Sequence, residues 1–434
     1  MNALSTDASG GALAEQNAVS GASVGLLAAR CRAAAMGGLS LDGASPATGG
    51  IEFGDATAYP GGYAVSFIHQ TLAGRVAAVA LLPPDAASAR VVDLGPTLGD
   101  APPPRLAWRT NELLAAQLSL PTTDQRPGDP ARELAVQVVE PGPPRRAYPL
   151  VPQGRDDSLA FDLAFLGGDG LVVWDEAAAA GARSAARGVI RAASLQGNQR
   201  GTVRDVSPSE SDAESPRVLS LDAGFIVTWL ARRPEPWVGS ESSANQEATG
   251  EARAYGWLEA IALDPRGNAA GPVRRLTSVA GHVSTYDIQR LPAARGAVLI
   301  VARDDGEAVD GSGGGLLRVR VGEDGAEPPT EFPSEGLGRG APAFVSAPAP
   351  WLAWVGPREQ LRLLPLDSAG APVTPPSAED AFDEARPLVL LRADVATAFD
   401  AAHGEDADAR APVRMLVATP NDSGGVLHIY ACVP

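Results

Sequence analysis

Short aliphatic runs recur along this chain, each preceded by a Gly- or Pro-rich stretch and followed by a polar one. The clearest are Gly62–Ile68, Leu106–Trp108, Leu171–Trp174, Phe225–Trp229, Ala297–Val301, Trp351–Trp354 and Met415–Ala418. That makes about seven copies at intervals of roughly 40–70 residues, the spacing of arrays of four-stranded units with variable loops. Each run is too short for a helix and rich in β-branched and aromatic residues, so each predicts a strand.

Neighbouring strands complete the unit. Ala160–Leu166 leads through Gly167-Gly168-Asp169-Gly170 into the Trp174 strand, and Val218–Leu221 leads through Asp222-Ala223-Gly224 into the Trp229 strand. Gly-rich links of this length predict hairpins. A third strand follows in Trp257–Leu263 and Gln360–Leu366, ending in Asp264-Pro265-Arg266-Gly267 and Asp367-Ser368-Ala369-Gly370. Asp at the first position and Gly at the fourth predict a type I turn. Leu316–Val321 before Glu323-Asp324-Gly325 is a looser copy, and a weaker fourth strand such as Pro272–Leu276 follows each turn. The recurring Trp108, Trp174, Trp229 and Trp354 read as packing between neighbouring units.

The repeated strand–turn pattern of Leu263-Asp264-Pro265-Arg266-Gly267 with Pro272, and of Leu366-Asp367-Ser368-Ala369-Gly370 with Pro372, resembles the divergent β-propellers encoded in GC-rich bacteria. The resemblance covers about residues 50–434. It implies an all-β fold: a single β-propeller of seven four-stranded antiparallel blades. Better-defined propeller families fit poorly. Trp174-Asp175 is the lone Trp-Asp dipeptide, Gly61-Gly62-Tyr63 the lone echo of a kelch repeat, and the sialidase Asp-box has no complete copy.

A ring must be closed. The last hairpin, Val413–Thr419 with Val426–Val433, leaves no room for an outer strand, so closure calls on an N-terminal strand around Val24–Ala34. The expected organisation is a flexible Ala/Gly/Ser-rich segment at 1–24 and a propeller over 25–434 that includes the closing strand. Cys31 and Cys432, the chain's two cysteines, would then face each other. They are either two unrelated thiols or a disulfide in an oxidising compartment. No export signal is legible near Met1.

Composition narrows the function. A net charge of -17 opposes binding to nucleic acid and to anionic membranes, and no run approaches the ~20 apolar residues of a membrane span. The chain has no lysine, which excludes Walker A, kinase and Schiff-base chemistry.

The remaining motifs are thin. His69, His282, His403 and His428 have no partner at metal-ligand spacing. Gly21-Ala22-Ser23-Val24-Gly25 spells a nucleophile elbow but lacks the strand–turn–helix setting. Asp304, Asp305, Glu307 and Asp310 could offer oxygens to calcium but break the EF-hand pattern, and a solvated acidic loop explains them as well. No catalytic, cofactor or metal residue is therefore expected.

Loop inserts at Arg200–Pro216, Arg232–Ala252 and Ala402–Ala411 are polar and acidic. Arg233, Glu235, Trp237 and Glu241 in the second are the candidate interaction loop, since variable loops on rigid scaffolds commonly carry binding residues. The expectation is a secreted, periplasmic or cell-surface scaffold that binds another protein or a surface polymer. The alternatives are a polysaccharide hydrolase or lyase with a central site, and a carbohydrate-binding lectin.

Overall fold

The computed structural model describes residues 31–40, 51–83, 89–119, 133–150, 160–177, 187–197, 199–233, 256–291, 297–307, 313–322, 325–332, 334, 337–338, 340–346, 350–356, 361–372, 389–390, 413–421 and 424–432. Among them there is no helix, and the strands form seven separate antiparallel sheets.

Strand β1 (Cys31–Ser40) comes first in the chain but belongs to the last sheet. The first sheet is a meander of β2 (Glu52–Tyr59), β3 (Gly62–Thr71), β4 (Gly74–Leu82) and β5 (Arg90–Pro96). The second repeats it with β6 (Arg105–Arg109), β7 (Glu112–Ser119), β8 (Glu133–Glu140) and β9 (Arg145–Leu150). The third comprises β10 (Phe161–Leu166), β11 (Asp169–Ala177), β12 (Gly188–Gln196) and β13 (Gln199–Arg200), with β14 (Arg204–Asp205) also on β12. The fourth comprises β15 (Asp212–Ser220), β16 (Phe225–Arg232), β17 (Trp257–Leu263) and β18 (Arg274–Arg275).

The fifth sheet comprises β19 (Val283–Arg290), β20 (Val298–Asp304), β21 (Gly315–Gly322) and β22 (Gly325–Ala326), with β23 (Thr330–Phe332) on β21. The sixth has β24 (Ala343–Ser346), β25 (Pro350–Val355) and β26 (Leu361–Pro365). In the seventh, β27 (Val389–Leu390), β28 (Val413–Asn421) and β29 (Gly424–Cys432) are completed by β1. Strand β1 pairs antiparallel with β29, and the register sets Cys31 opposite Cys432. The described N-terminal strand, Cys31–Ser40, overlaps the expected Val24–Ala34 at residues 31–34 and extends beyond it to residue 40; residues 1–30, with the 1–24 segment and the elbow-like 21–25, lie outside the described residues.

The core lies between sheets rather than at one centre. Side chains alternate across a strand, so one strand feeds two interfaces. Val172 and Trp174 of β11 pack with Leu114 and Val136 of the second sheet. Leu171 and Val173 of the same strand pack with Phe225, Val227 and Trp229 of the fourth. From β16, Ile226 and Leu230 turn the other way, onto Ile288 and Ile300 of the fifth sheet. A strand buried on both faces must be apolar throughout, which is why these second strands read as unbroken aliphatic runs. Burying each such side chain is worth roughly 1.5–3 kcal/mol.

Three of the four recurring tryptophans behave as expected. Trp174, Trp229 and Trp354 are buried on the second strand of their sheets. Glu176 accepts the Trp174 indole N–H at 3.2 Å, and Glu259 accepts those of Trp229 at 3.1 Å and Trp257 at 2.8 Å. Trp108 differs. It sits on β6, the first strand of its sheet, half-buried against Tyr59 at a centroid separation of 6.2 Å. The second sheet's second strand, β7, carries no aromatic, so the Trp108 run marked a different strand of the unit.

The Asp-x-x-Gly turns form as predicted, and in the same way twice. In each, the Asp carbonyl accepts the Gly N–H at 2.9 Å, and the Asp carboxylate accepts the N–H groups two and four residues on. Gly267 and Gly370 both take φ 77°, a left-handed conformation that glycine adopts without steric cost.

Candidate functional site

The first strands β2, β6, β10, β15, β19 and β24 are each hydrogen-bonded on one side only, and β2, β6, β10, β15 and β19 each lie against the first strand of the next sheet. These inner edges are bridged at alternate steps by carboxylates. Asp55 accepts the N–H of Leu106 at 3.0 Å, Asp162 that of Val218 at 2.9 Å, and Asp287 that of Phe344 at 2.8 Å. Each latch runs from an odd-numbered sheet to the following even one. The second oxygen of Asp55 accepts the Ala56 N–H, and that of Asp162 the Leu163 N–H. A strand edge offers backbone donors that must be satisfied, and a buried carboxylate is a strong acceptor for them.

The residue before each latched N–H completes the pattern. It is Arg105 in the second sheet, Arg217 in the fourth and Ala343 in the sixth. Strand register confirms the equivalence: Asp162, Arg217, Asp287 and Ala343 lie opposite Val173, Thr228, Val301 and Ala353 of their second strands. Five successive inner edges therefore present Asp55, Arg105, Asp162, Arg217 and Asp287, with charge alternating from sheet to sheet.

These groups share one electrostatic environment. Burial holds the Arg105 guanidinium below its usual pKa, Arg217 pushes it further down, and Asp55, Asp162 and Asp287 pull it back up. Tyr286 stands beside them. Its hydroxyl lies 2.8 Å from the carbonyl oxygens of both Ser215 and Thr228 and accepts the Thr228 hydroxyl at 3.2 Å; burial drives its pKa well above the ordinary phenol value.

Asp175 is the carboxyl most displaced toward neutrality. Burial pushes its pKa up to about 7 and Glu214 adds to the rise, while the N–H groups of Ser215 and Ala160 pull it down. Such a value suits a general acid, but both oxygens face inward, one on Ala160 N–H at 2.7 Å and the other on Ser215 N–H at 2.8 Å. At 5% exposure it offers no approach to a substrate. It latches the third sheet to the fourth.

The other candidates resolve in the same direction. Asp304 accepts the N–H groups of His282 and Gly306, and Asp305 pairs with Arg303 at 2.6 Å. Glu307 is described, whereas Asp310 lies outside the described residues. Among the described residues no group of three or more His, Cys, Asp or Glu could hold a metal. His69 meets the Phe67 ring at a tilt, with centroids 5.7 Å apart, and His282 is buried; His403 lies outside the described residues. Arg233 of the candidate interaction loop is exposed, and Glu235, Trp237 and Glu241 lie outside the described residues.

A cavity of about 320 Å³ opens between the fourth and fifth sheets, lined by Leu221–Ile226, the Ala270–Pro272 turn, Arg274 and Val321. Its walls are mostly apolar, and Asp222 at its mouth is paired with Arg290.

No protein-family model and no curated protein sequence matches the chain. Among solved structures it is similar to a neuraminidase-like protein from A/bat/Guatemala/164/2009, at 8% identity and TM-score 0.40, covering 76% of this chain and 87% of that one. It is also similar to Kuenenia stuttgartiensis hydrazine synthase, at 12% identity and TM-score 0.43, covering 76% and 78%. A third is a GH43 β-xylosidase/α-arabinofuranosidase from a compost microbial metagenome, at 13% identity and TM-score 0.35, covering 62% and 93%. Likenesses at this level assign no activity to the chain.

Proposed function

We propose that the chain is a seven-bladed β-propeller, closed by β1 against β29, that works as a non-catalytic binding scaffold for another protein or a surface polymer outside the cytoplasm. The observation that carries the non-catalytic reading is the use made of the inner carboxylates. Asp55, Asp162 and Asp287 stand where a central catalytic pair would be placed, and each is committed to the backbone of the next sheet. A glycosidase needs two carboxyl groups free to face one bond. A lectin built on the repeated tryptophans would need them exposed, and Trp174, Trp229 and Trp354 are buried.

Support for the ring comes from the contacts between first strands of successive sheets and from the register that sets Cys31 opposite Cys432, where a disulfide would clasp the two ends of the chain. Such a bond suits a secreted, periplasmic or cell-surface protein. Binding falls to the loop insert that begins at Arg233.

The test has two arms. Purified protein is incubated with a panel of envelope and plant polysaccharides and assayed for new reducing or unsaturated ends. In parallel, its retention on envelope fractions is compared with that of a variant lacking residues 234–252. The scaffold reading expects no chain cleavage and a loss of retention in the variant. Cleavage that disappears in Asp162→Asn would replace it with the hydrolase reading.

A further inference from the structure

Strand register makes Leu171, Ile226 and Leu299 counterparts in successive sheets: each lies two residues before the residue set opposite Asp162, Arg217 or Asp287. The fourth sheet closes its Asp264–Gly267 turn over Leu171, and the sixth closes Asp367–Gly370 over Leu299. A Cβ added to Gly267 or Gly370 would lie 3.3 Å or 2.7 Å from those leucines. The fifth sheet differs. Register places its Gly322 where Asp264 and Asp367 stand in theirs, so the carboxylate that organises the longer turn is missing. Gly322 pairs directly with Gly325 instead. The Asp-x-x-Gly turn therefore has no counterpart over Ile226, which lines the cavity of about 320 Å³ between the fourth and fifth sheets.

Arg204 and Arg274 are likewise counterparts, lying opposite Ala192 and Ala260, which in turn lie opposite Val173 and Thr228. The Arg204 guanidinium donates to the side-chain carbonyl of Asn268, on the turn that closes over Leu171. Arg274 lines the cavity and extends to the fifth sheet, where a Cβ added to Gly325 would lie 3.5 Å from its Nη1. Among the described residues it has no hydrogen-bond or ion-pair partner. Asp222, the carboxylate at the mouth, is already held by Arg290.

We propose that this cavity binds a small monocarboxylate with an apolar body, the head group taken by Arg274 and the body lying on Ile226 and Ala262. The ligand supplies what the turn supplies between the third and fourth sheets: an oxygen for the arginine and bulk over the aliphatic residue. A carboxylate suits an unpaired guanidinium better than a neutral carbonyl, because a charge-assisted hydrogen bond is about twice as strong. Ala262 lies opposite Ile226 and shares its face toward the fifth sheet, yet it is exposed whereas Ile226 is buried, which marks where the packing stops. Ligand cavities run from ~300 Å³ upward, and at ~30 Å³ per water this one takes roughly ten non-hydrogen atoms. The site depends on the register of the third to sixth sheets and not on the scaffold role.

Isothermal titration of the full chain with octanoate, 1-octanol and acetate, at fixed ionic strength, tests the site. Octanoate should occupy one saturable site at least about tenfold more tightly than 1-octanol, which lacks the charge, or acetate, which lacks the body. Arg274→Gln should remove the margin over 1-octanol while leaving 1-octanol binding unchanged. Ala262→Phe, at an exposed strand position, should fill the space and abolish both. Arg275→Gln, on the opposite face of the strand and set over Trp257, should change neither. The proposal is overturned by absence of saturable octanoate binding, by binding that survives Ala262→Phe, or by equal losses of octanoate and 1-octanol in Arg274→Gln.

Phenylglyoxal labelling of the wild type, read by mass spectrometry, tests the same site without a variant. Octanoate should protect Arg274 and leave Arg204 and exposed Arg266 as reactive as before. Protection of none of the three, or of all three alike, refutes the site.

Discussion

Replacing Asp162 with Ala removes one carboxylate and leaves two backbone N–H donors without an acceptor. Those donors, Val218 at 2.9 Å and Leu163 at 3.0 Å, surround a side chain only 6% exposed, so water does not readily substitute. A buried donor left unsatisfied costs about 1–3 kcal/mol, and two together about 2–6 kcal/mol. Asp162→Asn keeps one carbonyl acceptor but turns an amide toward the other N–H, for a loss of about 1–3 kcal/mol. The comparison is Asp205→Ala, which removes the 3.0 Å ion pair with Arg191 on a carboxylate that is 61% exposed. Exposed pairs are worth about 0–1 kcal/mol.

Urea denaturation of the three variants should rank the losses as Asp162→Ala, then Asp162→Asn, then Asp205→Ala. A loss for Asp162→Ala within about 0.5 kcal/mol of that for Asp205→Ala would refute the idea that the latch holds two sheets together. Asp55→Ala should behave like Asp162→Ala, since it too accepts from its own sheet and from the next.

Three further outcomes are expected. Asp175 has a folded-state pKa of about 7 against 3.8 when unperturbed, so the native state holds the proton more tightly. Its contribution is complete below pH ~4 and lost as pH climbs through ~7, a fall of up to about 4 kcal/mol that Asp175→Asn should flatten in denaturation series across that range. Gly370→Ala should destabilise more than Gly267→Ala in thermal melts. Both pay about 1–2 kcal/mol for a left-handed backbone, but the added Cβ would meet Leu299 Cδ2 at 2.7 Å in the first case and Leu171 Cδ1 at 3.3 Å in the second. If Cys31 and Cys432 are bonded as proposed, Cys31→Ser should lower stability by at most about 6 kcal/mol in the chain-entropy model; two freely alkylated thiols in the unreduced protein would discard the clasp.

The hairpins, the Asp-x-x-Gly turns and the pairing of an N-terminal strand with β29 were legible in the sequence, because each depends on local pattern or on counting strands. Trp257–Leu263 is a strand over the residues its aliphatic run marks. Less was legible where one signal fits two strands: Leu106–Trp108, like Leu171–Trp174, is a short apolar run ending in Trp, yet it occupies the first strand of its sheet. The fourth strands vary: β5 and β9 span seven and six residues, whereas in the Pro272–Leu276 segment Arg274–Arg275 pair with β17 and the Leu276 N–H adds a bond to the Leu258 carbonyl at 2.8 Å.

The alternating inner charges were missed altogether. Their members lie roughly fifty or more residues apart in the chain and look like ordinary polar positions in half-buried strands. A signal was nonetheless present. Pro104-Arg105-Leu106, Pro216-Arg217-Val218 and Pro342-Ala343-Phe344 recur at or within the first strands of the even sheets, and Phe161-Asp162 and Tyr286-Asp287 mark two of the odd ones. The pattern repeats every two sheets, whereas the aliphatic runs repeat every one, so a search at the shorter period overlooks it.

The most direct test of this account is amide hydrogen exchange at Leu106, Val218 and Phe344, resolved residue by residue in the native protein. These N–H groups sit on inner strand edges, on buried residues, and each donates to a carboxylate from the preceding sheet. Exchange as slow as at Val172 and Val227 in the second strands, and selective acceleration at Val218 in Asp162→Ala, is the predicted result. Exchange at the rate of an open, solvated strand edge would contradict the stitched radial arrangement on which the proposals rest.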